Sequence, residues 1–314
     1  MLREETNKAY MEKIEEELLE TIAGDNVRTG AYNIRKNGKG VERQITENVK
    51  IETKKDGTGI DIYVKENTKF EIVHIPVIIT QSGLKDVVYN DFYIGKNANV
   101  VIIAGCGIHN DEHNDTQHDG IHRFFLEEGA KVRYYEKHYG EGKGDGKRIL
   151  NPVTEVELKE GSSLEMESVQ IKGVDSTIRE TRGKVYKDGN LVVTEKILTA
   201  GTELAKTVFD VDLEEEGASV KVTSRSVATE NSKQQFESKI VGNTKCFGHV
   251  ECDAIIKDNA KVTAIPEIIA NNVDANLIHE AAIGKIAGEQ LIKLMTLGLS
   301  EKEAEEKIIE GFLK

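Results

Sequence analysis

The sulfur and nitrogen donors of this sequence collect in two places. The first is the run from Cys106 to His122, which holds one cysteine and four of the chain's 8 histidines. Asp111, Asp115 and Asp119 are interleaved with them. Thiolate and imidazole ligate iron, zinc or copper well, and a nearby carboxylate can orient a ligating imidazole. Cys106, His109, His113, His118 and His122 are therefore candidate ligands for iron or zinc, although their spacing matches no standard zinc finger. The plain alternative is a polar loop whose histidines make ordinary hydrogen bonds. The second place runs from Cys246 to Glu280. Cys252 follows His249 and Glu251 there, and His279 precedes Glu280. A site that builds metal–sulfur clusters needs a thiolate to accept sulfide or hold iron, with weaker oxygen or nitrogen ligands so that the product can leave. On spacing alone, a buried structural cysteine is the better account of Cys252.

Other chemical signatures are absent. There is no G-x-x-x-x-G-K-[ST] phosphate loop, so ATP hydrolysis by that route is not expected of this chain. There is no G-x-S-x-G elbow. The glycines between Gly140 and Gly146 precede Lys147 and Arg148 without a strand–turn–helix context, and read as a mobile loop. No catalytic constellation stands out, and the chain is not expected to be an enzyme.

Bulk properties narrow the class further. A net charge of −13 argues against nonspecific nucleic-acid binding, which needs clustered cations to neutralise phosphates. Three cysteines in 314 residues make no disulfide framework and suit a reducing compartment. No apolar run is long enough to span a bilayer, and the charged first twenty residues lack the apolar stretch of a secretory signal. The expected location is the cytoplasm, with no membrane partner.

The elements that position the donors are mostly short strands. With 28 glycines against 3 prolines, the composition suits many tight turns. Between about 45 and 270 one pattern recurs: Gly or Asn, a small residue, any residue, then two apolar residues one apart. It begins at Asn67, Asn97, Gly129, Gly161, Gly217 and Asn259. Spacings of 32, or of 16 between Gly201 and Gly217 and between Asn243 and Asn259, give a unit of about 16 residues. That unit fits one rung of two short strands and two turns in a parallel β-solenoid. An antiparallel sandwich or barrel is the rival. Residues 1–44 read as an N-terminal helical segment, with an amphipathic helix over about 2–22 on Leu2, Ala9, Ile14, Leu18 and Ile22. Residues 271–314 read as a C-terminal helical region: one helix from Ala275 to Thr296, ended at Gly298, and one from Ser300 to Phe312 opened by a Ser300–Glu303 capping box. Such helices would cap the strand edges at the two ends, as would a partner chain that continued the sheets.

The last 65 residues carry a resemblance. Glu251–Cys252–Asp253–Ala254, Ala264–Ile265–Pro266–Glu267–Ile268, His279 through Ile286, Glu289–Gln290–Leu291, Gly298 through Ala304 and Gly311–Phe312 together resemble the SufB/SufD family. The glycine-turn repeat extends the likeness to roughly 45–314. It implies a right-handed parallel β-helix flanked by helices, acting as a non-enzymatic scaffold for iron–sulfur cluster assembly. It also implies an ABC-type ATPase, SufC, bound at the C-terminal helices, with Leu291, Gly298, Leu299, Glu303 and Phe312 as contact residues. A cysteine at 252 and His–Glu–Ala at 279–281 resemble the SufB branch. By this resemblance Cys252 accepts sulfide or holds the cluster, and His279 and Glu280 supply nitrogen and oxygen nearby. The cluster would be transient cargo, passed to apo acceptor proteins; a flavin is left open. The chain is much shorter than full-length SufB proteins, which implies a minimal system and a homodimer through the β-helix. A SufD-like docking subunit without a cluster, or a metalloprotein built on the Cys106–His122 run, are the alternatives.

Overall fold

A computed structural model describes residues 11–314. Among the described residues, twenty strands lie between the helix α1 (Lys13–Ala23) and the helices α2 (Gly288–Thr296) and α3 (Glu301–Phe312). The first four are β1 (Ala31–Lys36), β2 (Lys39–Gln44), β3 (Val49–Thr53) and β4 (Gly59–Val64). Then come β5 (Glu71–Ile79), β6 (Lys85–Ile94), β7 (Asn99–His109), β8 (Thr116–Leu126), β9 (Lys131–Glu141), β10 (Arg148–Leu150), β11 (Val153–Leu158) and β12 (Ser163–Lys172). The series ends with β13 (Ser176–Val185), β14 (Asn190–Thr199), β15 (Leu204–Leu213), β16 (Ser219–Ala228), β17 (Lys233–Gly242), β18 (Phe247–Ile256), β19 (Lys261–Ala270) and β20 (Asn276–Gly284).

Alternate strands enter two facing sheets. One runs β2-β1-β5-β7-β9-β12-β14-β16-β18-β20, the other β19-β17-β15-β13-β10-β8-β6-β4-β3, with β11 beside β8 and β13. From β5 onward the pairing is parallel and in register save for one shift between Gln170 and Lys172, which makes a β-solenoid of about 8 turns. Two-residue alternation explains the core: along β14, Leu191, Val193 and Ile197 point inward and are buried, while Val192, Thr194 and Lys196 alternate with them.

The repeat differs in one respect from its sequence reading. Register carries Asn99 to Lys131 and Lys131 to Ser163, a step of 32, and Ser163 to Asn190, a step of 27. A full rung therefore spans about two of the 16-residue units, because each strand is about ten residues long rather than a short arm. The turn residues do stack. Asn67, Asn97, Gly129, Gly161, Asp188 and Gly217 all have φ between 52° and 79°, the left-handed region that glycine and asparagine tolerate. The amide of each from Asn67 to Asp188 donates to the carbonyl one residue before the next, as from Asn97 to Glu128. Ala98, Ala130 and Ala218 fill the corner behind them at 0% exposure. Asn259 belongs to the opposite corner, where Gly201, Glu230 and Asp258 take the positive φ.

The ends are also built differently from the expectation. The helix α1 lies on the outer face of β5, β7 and β9 rather than over the end. Leu18 and Ile22 sit on Gly105 and Gly107, where an added Cβ would come within 2.9 Å of Ile22 and 3.1 Å of Leu18. Leu2 and Ala9 of the expected helix lie outside the described residues. The N-terminal end is closed by two antiparallel hairpins, β1–β2 and β3–β4, so residues 31–44 are strands. At the other end, residues 276–284 form β20 instead of the first half of a helix. Parallel pairing with β18 over Asn276–Gly284 extends the sheet by one more strand despite the weak strand propensity of Ala281 and Ala282. Only 288–296 is helical there, and Gly298 follows it at φ 99°. The Ser300–Glu303 capping box forms as expected. α3 packs its Ile308, Ile309, Phe312 and Leu313 on Leu198, Val227 and Ile255, the outer ends of β14, β16 and β18. β19 and β20 are left as an open last rung, with Ile265, Ile268, Ile278 and Ile283 each more than a third exposed. Among the described residues no helix is long and apolar enough to cross a membrane.

Candidate functional site

Cys252 points into the solenoid. It is 1% exposed, and its inward neighbours on β18 are Val250 and Ala254. Register lines it up in one inward row across the sheet: Glu136 on β9, Ser168 on β12, Glu195 on β14, Ser224 on β16, Cys252 on β18 and Ala281 on β20. The row is polar for most of its length, and it is bonded together. Ser224 Oγ and Thr207 Oγ1 donate to Glu195 at 2.9 and 2.7 Å. Arg179 donates to Glu136 Oε2 at 2.6 Å and holds its Nε 3.5 Å from Glu195. Tyr134 donates to Glu136 Oε1 at 3.0 Å. Burial works to raise the Glu136 carboxyl, but His138 and Arg179 overturn that and hold it ionised, well below the usual carboxylate range. For Cys252 burial is unopposed: together with the charges of Glu195 and Asp253 it pushes the thiol up to about 12. In this closed form the thiol is protonated at neutral pH and a poor nucleophile.

The structure does not bring Glu280 to Cys252. Glu280 pairs with Glu251 and Ala281 with Cys252, so Glu280 faces outward and Cys252 inward. Glu280 approaches His249 instead, with Oε2 3.6 Å from Nε2, and its side chain is 65% exposed. His279 pairs with Val250 and so shares the inward face with Cys252. Its imidazole is held below its ordinary value by burial and then by His249. The Nε2 atoms of His249 and His279 are both buried and make no hydrogen bond within the described residues. Thus one thiol and one imidazole line the inside of the last two rungs, and one imidazole and two carboxylates line the outside. Cys246 is a corner residue of the apolar core.

The histidine-rich run is divided rather than gathered. Cys106 is buried with Val77, Ile79 and Ile108, and burial raises its thiol well above the ordinary value. Along the sheet it is five strand steps from β18, about 24 Å at ~4.8 Å per step, so Cys106 and Cys252 share no site within one chain. His118 and His122 point inward from β8. His118 Nδ1 lies 3.0 Å from Asp86, and His122 Nδ1 lies 2.7 Å from the Tyr134 hydroxyl. Burial keeps His122 neutral, down to about 4. His109 pairs with Asp111 and Glu141, and exposed His113 with Asp145 at 2.6 Å, in the turn where residues 110–115 stack on 141–147. That glycine-containing turn is tied by Lys143 and Lys147 amides donating to Asp111 and Asp115. His109, His113 and His122 are thus engaged by their own neighbours, whereas His118 is held through Nδ1 alone and its buried Nε2 makes no hydrogen bond among the described residues. Among the described residues no three His, Cys, Asp or Glu side chains are grouped to hold a metal ion.

Tyr134 is the inward apolar residue of the Gly129 repeat, while the interior residues Glu136, His138, Arg179 and Glu195 are absent from the sequence reading. Their signal is present, since Glu136 and His138 occupy the inward phase of β9 where apolar residues are due. That signal needs the strand phase to be known first.

The family model described as "SUF system FeS cluster assembly, SufBD core domain" matches residues 108–246 and 241–312, well over half of the chain. This chain belongs to the SufBD family. It is similar to an iron–sulfur cluster assembly SufBD family protein of Methanocaldococcus jannaschii, 29% identical over 243 residues, covering 77% of this chain and 76% of the relative. A SufBD family protein of Pyrococcus horikoshii is 29% identical over 318 residues, covering 99% of this chain and 65% of the relative. The iron–sulfur cluster assembly protein SufB of Bacillus subtilis matches at 35% over 99 residues, 30% of this chain and 21% of that protein. The chain spans less than two thirds of the Pyrococcus relative's length. Membership of the SufBD family ties the chain to iron–sulfur cluster assembly.

The C-terminal helices of this SufBD chain divide into an anchored and a free part. Phe312 belongs to the packing of α3 on the solenoid, and Glu303 to its cap. Leu291 and Leu299 are half-buried, and Gly298 is exposed. The most exposed apolar residues here are Ile292 at 63% and Leu297 at 75%, with Met295 beside them, and none of the three figured in the sequence reading. All three lie on or just after α2, which buries no residue fully.

Proposed function

We propose that this chain is a scaffold subunit on which iron–sulfur clusters are assembled, with Cys252 as the thiol that gives up its proton and ligates iron of the nascent cluster. The observation that carries this reading is the position of Cys252. It ends a row of buried polar side chains and is separated from the open end of the solenoid by a single strand, β20. His279 lies on the same inward face, and His249 with Glu280 on the outer one, so ligands stand on both sides of the last rung. The rung must open for Cys252 to be reached by iron or sulfide. An ABC-type ATPase that docks on α2 and α3 is suited to drive this, because α3 is packed on the outer ends of β14, β16 and β18. ATP does work only if the ATPase binds the open form better than the closed one. The exposed isoleucines and unpaired edges of β19 and β20 suit a second copy of the chain, so that two Cys252 would lie near one two-fold interface. Iron, sulfide and the cluster are cargo, passed on to apo acceptor proteins.

One observation favours a second reading. Cys252 is fully buried with a raised pKa, as expected of a docking subunit that holds no cluster. The two are separated in a reaction containing the ATPase, ATP, ferrous iron, sulfide and an apo acceptor. The scaffold reading expects wild type to load the acceptor and Cys252→Ala to leave it empty. Equal loading by both proteins would remove Cys252 from the mechanism.

A further inference from the structure

The far end of the solenoid carries a feature outside the proposed cluster site. Between the two hairpins, β1–β2 and β3–β4, lies a cleft of about 760 Å³. The chain is acidic, at −13 overall, yet three of the four charged residues lining this cleft are basic: Arg35, Lys39 and Arg43, against Glu42 alone. The acid is already engaged, because Arg28 donates to Glu42 at 3.0 and 3.1 Å. Arg35 is engaged as well, by Asp86 at 3.1 and 2.7 Å.

What remains is a set of donors without acceptors. Among the described residues Lys39 forms no ion pair. Arg43 donates only to neutral oxygens, Asn33 Oδ1 at 2.9 Å and Thr53 Oγ1 at 3.0 Å, which leaves three of its five N–H groups unused. Asn33 is 7% exposed. Its Oδ1 is fixed by Arg43, so its Nδ2 is the free end, and that nitrogen finds no acceptor among the described residues. Gly38, Gly40 and Gly57 keep the walls clear of side chains. Lys39 and Arg43 are exposed and Asn33 is buried beside them, and a guanidinium free of a carboxylate partner pairs with carboxylate or phosphate where it can.

We propose that this cleft binds a small, multiply charged anion, bearing phosphate groups or clustered carboxylates, held by Arg43, Lys39 and the Asn33 amide. The cleft falls in the size range of small-molecule sites, so it accommodates more than a single phosphate ion. This site stands at the opposite end of the coil from Cys252 and does not depend on the scaffold reading.

The test is calorimetric titration of the full chain with inorganic pyrophosphate in one arm and citrate in the other, at low ionic strength. One saturable site per chain is expected, and the tighter arm identifies the anion class. Arg43→Gln should weaken it by about tenfold or more, the usual effect of deleting a charge-assisted donor. Lys39→Gln, at the exposed β1–β2 turn, should weaken it in the same direction and serves if Arg43→Gln lowers the melting temperature. Lys13→Gln, on exposed α1 surface, should leave it unchanged. No saturable binding of either anion at millimolar concentration would overturn the proposal. So would an equal loss in Lys13→Gln, since the binding would then be diffuse charge attraction.

Discussion

Iodoacetamide should barely touch Cys252 in the folded, isolated chain. With the thiol pushed up to about 12, the thiolate fraction at about pH 8 is on the order of 10⁻⁴, against roughly a quarter for an unperturbed cysteine. The rarer thiolate is intrinsically more nucleophilic, which returns about 40-fold for a pKa difference of about 3.5. Ionisation alone therefore slows alkylation roughly 60-fold relative to the unfolded chain, before the 1% exposure of the side chain is counted. The assay is time-resolved labelling with site-resolved mass spectrometry, native against urea-unfolded, with buried Cys106 and Cys246 as internal references. Glu195→Gln removes the largest charge acting on the thiol, but burial is the greater cause, so the rate should rise only a few-fold. If native Cys252 labels within about threefold of the unfolded rate, the reasoning fails, because the last rung would not be closed over the thiol.

Three further outcomes follow from the same geometry. Arg179→Ala leaves Glu136 buried without its guanidinium and should cost about 3–5 kcal/mol in urea unfolding; a loss under about 1 kcal/mol would show that the interior charges are not coupled. His122 is buried with its pKa lowered to about 4, below its unfolded value of about 6.5. The unfolded chain binds the proton first as pH falls, so this contribution is complete above about pH 6.5 and is lost towards about pH 4, some 3 kcal/mol in all. In His122→Asn the fall in melting temperature between pH 7 and pH 5 should be smaller than in wild type, and an unchanged fall would contradict it. Ile292→Ser with Leu297→Ser should leave the melting temperature within about a degree, since both side chains are exposed, while weakening binding of the ATPase in a pull-down; undiminished binding would move the docking surface off α2.

The strands, their corners and the helices α1 and α3 are legible in the sequence because they rest on local chemistry. Left-handed φ at Asn67, Asn97, Gly129 and Gly161 demands residues that tolerate it, and the Ser300–Glu303 box announces a helix start. The rung length is less legible, since a 16-residue unit does not say whether two strands or one fill it. Residues 276–284 mislead for a physical reason: Ala281, Ala282 and Gly284 weaken the strand pattern, and pairing with β18 overrides it. The candidate site depends on face, which one residue of phase inverts. Cys252 and Glu280 are close in the fold and separated by the sheet between them. The dispersal of His109, His113, His118 and His122 has the same origin, because a turn and a strand divide a run that is continuous in sequence.

The most direct test of Cys252 as the cluster-holding thiol is anaerobic reconstitution of the purified chain with ferrous iron and sulfide. Visible absorption and Mössbauer spectra would be recorded for wild type, Cys252→Ser and Cys106→Ser in parallel, with and without the ATPase and ATP. The scaffold reading predicts a cluster in wild type and in Cys106→Ser and none in Cys252→Ser. A cluster that persists in Cys252→Ser, or that is lost only in Cys106→Ser, would contradict it.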